Sequence, residues 1–181
     1  MASSKNITDF KSNIGKDFAR SNLFRIEFGS PTNPSSGQPT NYRFLVKATS
    51  LPSTSMGSIA VPYQGRVFNV PGDRTYEPWS TTIMNTEDYG LRKYLEKWIN
   101  RIQATEYAYQ AAEDFGYMAT LKVESLRRTG QDTDTLKSIR KYKFYNAFPS
   151  SISAMDLDFA SNDTIQEFTC EWQFSHWEVD S

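Results

Sequence analysis

The chain has 181 residues, of which 38% are hydrophobic and 14% aromatic, and its 20 Lys and Arg residues nearly balance 21 Asp and Glu residues. This length predicts one globular domain that can bury about 70% of its unfolded surface without a metal or a disulfide. A single cysteine, Cys170, excludes an internal disulfide, and a single histidine, His176, excludes zinc sites that need several His or Cys ligands. The net charge of −1 disfavours a dedicated nucleic-acid-binding surface. No apolar stretch reaches bilayer length, so no membrane anchor is expected.

The N-terminal part of the chain combines a polar segment with a strand pattern. Residues 1–20 are polar with isolated apolar side chains, which is typical of an arm that orders on a partner or of a frayed terminus. In residues 23–28, Phe24, Ile26 and Phe28 alternate with charged residues and predict a half-buried strand.

Two turn-rich stretches follow. Prolines and glycines in residues 29–41 predict a loop, because neither residue type continues a sheet well. A strand pattern returns at 43–49. Residues 51–78 again hold several prolines and glycines, and we expect a second long loop that contains one short strand at 66–70.

A strand at 79–84 precedes a helix predicted over 86–102. Leu91, Leu95, Trp98 and Ile102 fall on one helical stripe, whereas the charged residues lie outside it. Residues 107–115 are predicted to extend this helix or to form a further turn or two before Gly116.

The last third of the chain reads as β-structure. The patterns before and after Gly130 predict a long hairpin over 117–145. Residues 165–177 alternate strictly, so one side of this strand is predicted to be core and the other polar. The predicted core side comprises Phe168, Cys170, Trp172 and Phe174, and the predicted polar side comprises Glu167, Thr169, Glu171, Gln173 and Ser175.

Signatures of catalysis are not found in the sequence. His176 follows an aromatic strand, and Cys170 alternates with aromatic residues, so neither resembles a general base or an activated nucleophile. Phosphate-binding glycine motifs and calcium loops are also missing. We therefore predict a protein that is not an enzyme and that needs no catalytic residue, metal or cofactor.

Charge is distributed unevenly along the chain. Residues 117–145 carry seven basic side chains and three acidic ones, whereas residues 146–181 carry seven acidic side chains and neither Lys nor Arg. Because Tyr142, Phe144 and Tyr145 lie among the basic positions, a nucleic-acid-binding patch is one interpretation. Contacts between oppositely charged surfaces of subunits, or a solvated face, are the alternatives.

Five segments, in the same order along the chain, carry a family resemblance. They are 17–28 (DFARSNLFRIEF), 46–53 (VKATSLPS), 69–88 (NVPGDRTYEPWSTTIMNTED), 92–98 (RKYLEKW) and 148–178 (FPSSISAMDLDFASNDTIQEFTCEWQFSHWE). Together they are similar to the major tail tube proteins of contractile-tailed bacteriophages. The ATSLP turn and the PGDRT run are the most specific parts, whereas residues 29–41 look expanded and residues 103–116 do not match closely.

The resemblance implies a mainly β, single-domain barrel or sandwich of two packed antiparallel sheets with one flanking helix and a long hairpin. Such subunits form hexameric rings that stack into the inner tube of a contractile tail. The implied partners are further copies of the chain, the tail sheath protein, and the baseplate and tail-terminator proteins, with double-stranded DNA passing through unbound. The implied location is the virion tail, assembled in the host bacterial cytoplasm. The alternatives are a tube that delivers proteins from a phage-derived contractile injection particle, a baseplate tube initiator, and a monomeric nucleic-acid-binding barrel.

The implied tube predicts which residues face the lumen, the sheath and the neighbouring subunits. Six copies contributing four strands each give about 24 strands, a backbone radius of about 26 Å and a bore of roughly 40 Å, which admits a DNA duplex. Because basic contacts would hold DNA back, the wall should be acidic or neutral. The residues predicted to face the lumen are Glu167, Thr169, Glu171, Gln173 and Ser175; the alternative is that this face meets solvent or a neighbouring subunit. Those predicted to face the sheath are Arg92, Lys93, Lys97 and Arg101. Those predicted at subunit or ring interfaces are Asp17, Arg20, Asp73, Arg74, Arg127, Arg128 and Arg140.

Overall fold

The computed structural model describes residues 7, 10, 12, 18–29, 31, 42–102, 116–127 and 138–180. Most of the predicted N-terminal arm (1–20) and of the predicted loop at 29–41 lies outside the described residues, as does the segment 107–115. Among the described residues, no helix combines the length and the apolarity required to span a bilayer.

The described elements are mostly strands. In chain order they are β1 (Phe24–Glu27), a short 3-10 helix (Tyr42–Phe44), β2 (Val46–Thr49), β3 (Ser55–Tyr63), β4 (Arg66–Thr75), β5 (Trp79–Met84), α1 (Gly90–Ile102), β6 (Ala119–Leu126), β7 (Ser138–Ile152), β8 (Glu167–Gln173) and β9 (His176–Asp180). The strand expected at 43–49 therefore begins only at Val46.

Two antiparallel sheets share the long strand β7. Sheet A has the strand order β1-β6-β7-β9, and sheet B has the order β2-β5-β8-β7. The first part of β7 pairs with β6 and β9, and its last part pairs with β8. The hairpin β3–β4 forms a separate two-stranded sheet. The predicted fold class, mainly β with two antiparallel sheets and a flanking helix, is confirmed.

The ribbon of β7 with β8 and β9 bends where it passes from one sheet to the other. Asn146 has a positive φ of 54°, and its side-chain amide donates to Ser175 Oγ at 3.3 Å. Ser175 N–H donates to the Tyr145 carbonyl at 3.0 Å. Here the inward side chains change from even numbers on β8 to odd numbers on β9, and the strand expected over 165–177 divides in two. Such a bend lets one long strand serve both layers of a sandwich.

The core lies between the sheets and is closed by α1. The buried stripe of α1 comprises Leu91, Tyr94, Leu95 and Trp98, which confirms three residues of the predicted stripe and adds Tyr94, whereas the fourth predicted residue, Ile102, is only half-buried. Aromatic rings fill the centre: Trp79 stacks on Phe144 with centroids 4.7 Å apart, and Phe28 stacks on Trp172 at 5.1 Å. The indole of Trp172 donates to Thr81 Oγ1 at 3.0 Å, which satisfies a polar group buried at the centre.

The prediction of a long loop at 51–78 is wrong, although the short strand expected at 66–70 is confirmed as the first half of β4. Residues 55–75 form the hairpin β3–β4, joined by a two-residue turn in which Gln64 and Gly65 both have positive φ. The prolines that suggested a loop are tolerated because both strands are edges. Counting from the pair Tyr63 and Arg66, Pro62 and Pro71 occupy positions whose nitrogens point away from the partner strand.

The predicted start of the helix is also wrong by four residues. Tyr89 has a positive φ of 53°, so the helix begins at Gly90 instead of residue 86. The Asp88 carboxylate accepts the Gly90 N–H at 3.2 Å and the Thr86 hydroxyl, and the Tyr89 carbonyl accepts the Lys93 N–H at 2.8 Å. Asp88 therefore caps the helix from a turn that precedes it. The hydrogen bond from Thr86, followed by that from Gly90, lowers the pKa of Asp88.

Candidate assembly surfaces

The outer face of sheet B is polar and rich in hydroxyl groups. The alternation predicted for β8 is confirmed, since Phe168, Cys170 and Trp172 are buried and Glu171 and Gln173 are exposed. The outward residues of β8 pair across strands with Met84, Thr82 and Ser80 of β5 and with Ser151 of β7. Four strands thus present one continuous, mostly polar face, which also includes Met84 of β5 and Phe148 of β7, the cross-strand partner of Gln173.

The charges on this face are few. The Lys47 ammonium contacts the Glu167 carboxylate at 2.6 Å across the edge of sheet B. Among the described residues, Glu171 lies in no ion pair, so the charged side chains of this face leave a net charge of −1. Of the residues predicted to face the lumen, the structure places Glu167, Thr169, Glu171 and Gln173 together. It places Ser175 at the bend between the two sheets, beyond the end of β8.

Sheet B has two edges that pair with no strand among the described residues. One edge is β2, and the other is the part of β7 beyond Phe148, which pairs only with β8. Unpaired edges invite pairing with another chain. Because the four strands alternate in direction, β7 of a neighbouring copy placed beside β2 would also run antiparallel to it.

The outer face of sheet A carries a lattice of opposite charges. The register aligns one row across the four strands, Arg25, Glu124, Lys141 and Asp180, and a second row, Glu27, Lys122, Lys143 and Glu178. Nitrogen-to-oxygen distances are 3.5 Å for Lys122 and Glu27, 3.5 Å for Lys141 and Glu124, and 2.9 Å for Lys143 and Asp180. Part of the basic block of the sequence therefore contacts part of the acidic block within one subunit, because β7 pairs with β9.

The ion pair between Lys143 and Asp180 shifts the pKa values of both groups so that each is more readily charged. Hydrogen bonding to Lys143 lowers the pKa of Asp180, and the same contact raises the pKa of Lys143. The Asp180 side chain is exposed and that of Lys143 is half-buried, so solvent screens the pair and it stabilises the C-terminal strand only weakly.

The four basic residues predicted to face the sheath divide into two groups. Arg92 is engaged within the subunit: it pairs with Glu96 at 2.9 Å, donates to the Ser153 carbonyl at 3.3 Å and lies over the Phe168 ring at 5.3 Å. Arg101 is half-buried at the end of α1. Lys93 and Lys97 are exposed one turn apart, and these two supply the positive surface of the helix.

The predicted interface residues lie in two separate places. Asp73 and Arg74 lie near the base of the hairpin β3–β4. By strand order, Arg20, Arg127 and Arg140 meet at the end of sheet A where β1 starts, β6 ends and β7 starts. Asp17 and Arg128 lie outside the described residues.

Sequence reasoning missed two projecting segments. The hairpin β3–β4 exposes Ile59, Val61, Tyr63, Val67 and Phe68, and the connection 153–166 exposes Leu157 and Phe159. The alternation of Ile59, Val61 and Tyr63 was a readable strand signal, but the prolines around it outweighed it. The connection 153–166 has no periodic pattern that would have marked it.

The described residues show no metal-binding group of three or more His, Cys, Asp or Glu side chains. Cys170 lies in the core, where burial raises the pKa of its thiol to about 12. At neutral pH this thiol is protonated, so it is a packing group with little nucleophilic character.

Comparisons with known proteins agree with this architecture. The family model for phage tail tube proteins matches residues 19–180. The tail tube protein gp19 of Enterobacteria phage T4 is 30% identical over 162 residues, which cover 90% of this chain and 92% of that protein. The baseplate structure of the anti-feeding prophage contains a chain that superposes with a TM-score of 0.65 at 11% identity, covering 91% of this chain and 96% of that one. The sheath-tube complex of the extracellular contractile injection system PVC, in its extended state, contains another with a TM-score of 0.58 at 18% identity, covering 100% and 99%. The two structural matches show a shared fold, and the family match over residues 19–180 shows that this chain belongs to the phage tail tube proteins, structural components of the virion tail.

Proposed function

We propose that this protein forms hexameric rings that stack into the inner tube of a contractile phage tail and conduct double-stranded DNA. The observation that carries the proposal is sheet B, a four-stranded antiparallel sheet with two unpaired edges among the described residues and a nearly neutral polar outer face. If β2 of each copy pairs with β7 of the next, six copies close into one barrel with every edge of sheet B paired. All neighbouring strands then remain antiparallel.

The outer face of sheet B then lines the channel. About 24 strands tilted by roughly 45° give a bore of about 40 Å, which leaves about 10 Å on each side of a duplex. Hydroxyl groups and a small negative charge suit passage, because DNA binding is dominated by Lys and Arg contacts to phosphate. The Lys47 ammonium, the basic group that the described residues place on this face, is offset by the adjacent Glu167 carboxylate.

The exposed basic residues of α1 are assigned to the sheath contact. Lys93 and Lys97 are a small polar patch, suited to a contact that holds during assembly and releases when the sheath moves. Reversing both charges should reduce sheath assembly while bare tubes still form. Unchanged sheath assembly on Lys93→Glu, Lys97→Glu tubes would contradict this assignment.

Contacts between neighbours and between rings are assigned to the N-terminal arm, the hairpin β3–β4 and the β6–β7 hairpin. The baseplate and tail-terminator proteins are proposed to close the two ends of the tube, and assembly is proposed to occur in the host bacterial cytoplasm. In this role the chain needs no catalytic activity.

A tube that delivers proteins is the second candidate, because the fold is shared with chains of contractile injection systems. The sequence relative named above belongs to a phage tail, which favours DNA as cargo. The monomeric nucleic-acid-binding barrel is disfavoured because Lys122, Lys141 and Lys143 are neutralised within sheet A.

Negative-stain microscopy and mass photometry of the purified chain test the proposal. We expect sixfold rings or hollow tubes with a bore of about 40 Å. A monomer at micromolar concentration that binds DNA in a salt-sensitive way would favour the nucleic-acid-binding barrel instead. Particles purified from infected cells that carry protein in place of DNA would favour the injection tube.

A further inference from the structure

Two projecting segments leave sheet B at opposite ends. The hairpin β3–β4 is inserted between β2 and β5, at the end where Trp79 pairs with Trp172. The connection 153–166 joins β7 to β8, at the end where Met84 pairs with Glu167. Along β8 these ends are about 20 Å apart. Each subunit therefore presents a different projection in each direction along its strands.

The hairpin β3–β4 has one strongly apolar face. The register places Ile59 opposite Val70, Val61 opposite Phe68, and Tyr63 opposite Arg66. Tyr63 and Phe68 are 70% and 68% exposed. An isolated two-stranded hairpin is marginally stable, so this face needs a surface to cover it. Its tip ends in one positive charge, that of Arg66.

The connection 153–166 forms a concave acidic surface at the other end. Residues 155–159, 161 and 164–167 line a cavity of about 560 Å³. Its rim exposes Leu157 (80%) and Phe159 (106%), and the segment carries Asp156, Asp158 and Asp163 without any Lys or Arg.

The ends of the connection are fixed to sheet B. Ser153 N–H donates to the Thr169 carbonyl at 2.8 Å, and the Gln166 carbonyl accepts the Asn85 N–H at 2.8 Å. The Ala160 N–H donates to Asp158 Oδ1 at 3.0 Å, which shapes the turn within the segment. Hydrogen bonds within the subunit thus hold both ends and one turn of the segment, which lowers the entropic penalty of docking.

We propose that the apolar face of β3–β4 docks into the 153–166 cavity of a copy in the adjacent ring, with Arg66 placed among Asp156 and Asp158. This inference rests on the proposed stacking of rings and names the surface that receives the hairpin. Apolar side chains meet an apolar rim, and the charges of the two surfaces are opposite in sign. Because donor and acceptor are different surfaces of one chain, the contact repeats from ring to ring and does not close into a dimer.

Disulfide crosslinking tests the contact directly. A chain carrying both Tyr63→Cys and Phe159→Cys should give, on mild oxidation, a ladder of linked chains on a non-reducing gel. Either substitution alone should give at least about tenfold less linked product at equal protein concentration. The matched control pairs Tyr63→Cys with Thr120→Cys, an exposed position on the outer face of sheet A, and should also give no ladder. Native Cys170 is buried and does not interfere.

Charge reversal separates docking from ring formation. Arg66→Asp should leave sixfold rings intact and raise the protein concentration needed for stacking by about tenfold. Adding Asp156→Arg in the same chain should restore tubes, because Asp156 is exposed in the cavity and, unlike Asp158, does not hold the turn at Ala160. Native tubes with no ladder from the paired cysteines, or tubes unaffected by Arg66→Asp, would overturn the docking inference and leave the tube proposal standing. A native chain that forms neither rings nor tubes would overturn both.

Discussion

Reversing the charge of Glu171 tests whether the outer face of sheet B lines the channel. Glu171 is exposed, and it pairs across strands with Ser80 and Ser151, so a lysine fits there without repacking. Glu167 is a poorer choice because its carboxylate contacts Lys47, and a lysine at 167 would face that ammonium. Glu171→Lys changes the charge of the face from −1 to +1 per subunit.

The expected effect follows from the geometry. In a hexamer the substitution adds about 12 positive charges per ring, each about 10 Å from the nearest phosphates. One such pair in water contributes about 0.4 kcal/mol, and screening at physiological ionic strength reduces this to about 0.1 kcal/mol. The sum is roughly 1.2 kcal/mol of attraction per ring, repeated along the tail, which should slow DNA passage at least several-fold.

The assay is DNA release from purified particles that carry the variant tube protein. Glu171→Gln should have a smaller effect than Glu171→Lys, and raised salt should restore the rate because the added attraction is screened. Glu178→Lys makes the same charge change on the outer face of sheet A, where the new lysine faces Lys143, so it serves as the control once its unfolding midpoint in urea matches that of the native chain. Normal tail length in all variants would show that assembly is intact.

Two results would refute this reasoning. Release at the native rate from Glu171→Lys particles would show that the face does not meet the DNA. Slower release from the Glu178→Lys control alone would place sheet A against the channel instead.

Three further predictions concern the subunit itself. A Cβ at Gly29 would lie 2.2 Å from the Thr120 carbonyl oxygen, so Gly29→Ala should destabilise the fold by about 1–3 kcal/mol, and an unchanged urea midpoint would contradict this. Thr81→Val removes the acceptor of the buried Trp172 indole N–H and should cost about 1–3 kcal/mol in urea unfolding followed by tryptophan fluorescence, whereas Thr81→Ser, which keeps the hydroxyl, should cost less. With its pKa raised to about 12, the Cys170 thiol should react with iodoacetamide at pH 8 about a thousandfold more slowly in the folded chain than after unfolding, and equal rates would show that the thiol is accessible.

The charge blocks show how local patterns leave alternatives open. The basic run in 117–145 was compatible with a nucleic-acid patch, a subunit contact or a solvated face. The structure pairs β7 with β9 and sets Lys141 and Lys143 beside Asp180 and Glu178, so part of the block is neutralised inside the subunit. This neutralisation depends on strand partners that are distant in sequence, so it could not be predicted from short segments of the chain.

Much of the fold was available from periodicity. The alternation of β8 and the stripe Leu91, Leu95 and Trp98 of α1 follow from which side chains must be buried, because a regular element repeats its geometry at every residue. The bounds of β5 and the pairing of β6 with β7 were likewise predicted, and the resemblance of five segments to tail tube proteins agrees with the family match.

Only the tertiary structure showed where the regular alternation of buried and exposed side chains is interrupted. The bend at Asn146 and Ser175 reverses which residues face inward, and Tyr89 delays the start of α1 through a positive φ. Prolines that exclude a central strand are tolerated in β3 and β4 because, within the part of the chain that the structure describes, each of these strands pairs on one side only. The sequence by itself thus determined the family, the class of fold and the buried side of most elements. The pairing of distant strands decided which faces and edges remain open for assembly, because hydrogen bonding between strands is set by neighbours in space and not by neighbours in the chain.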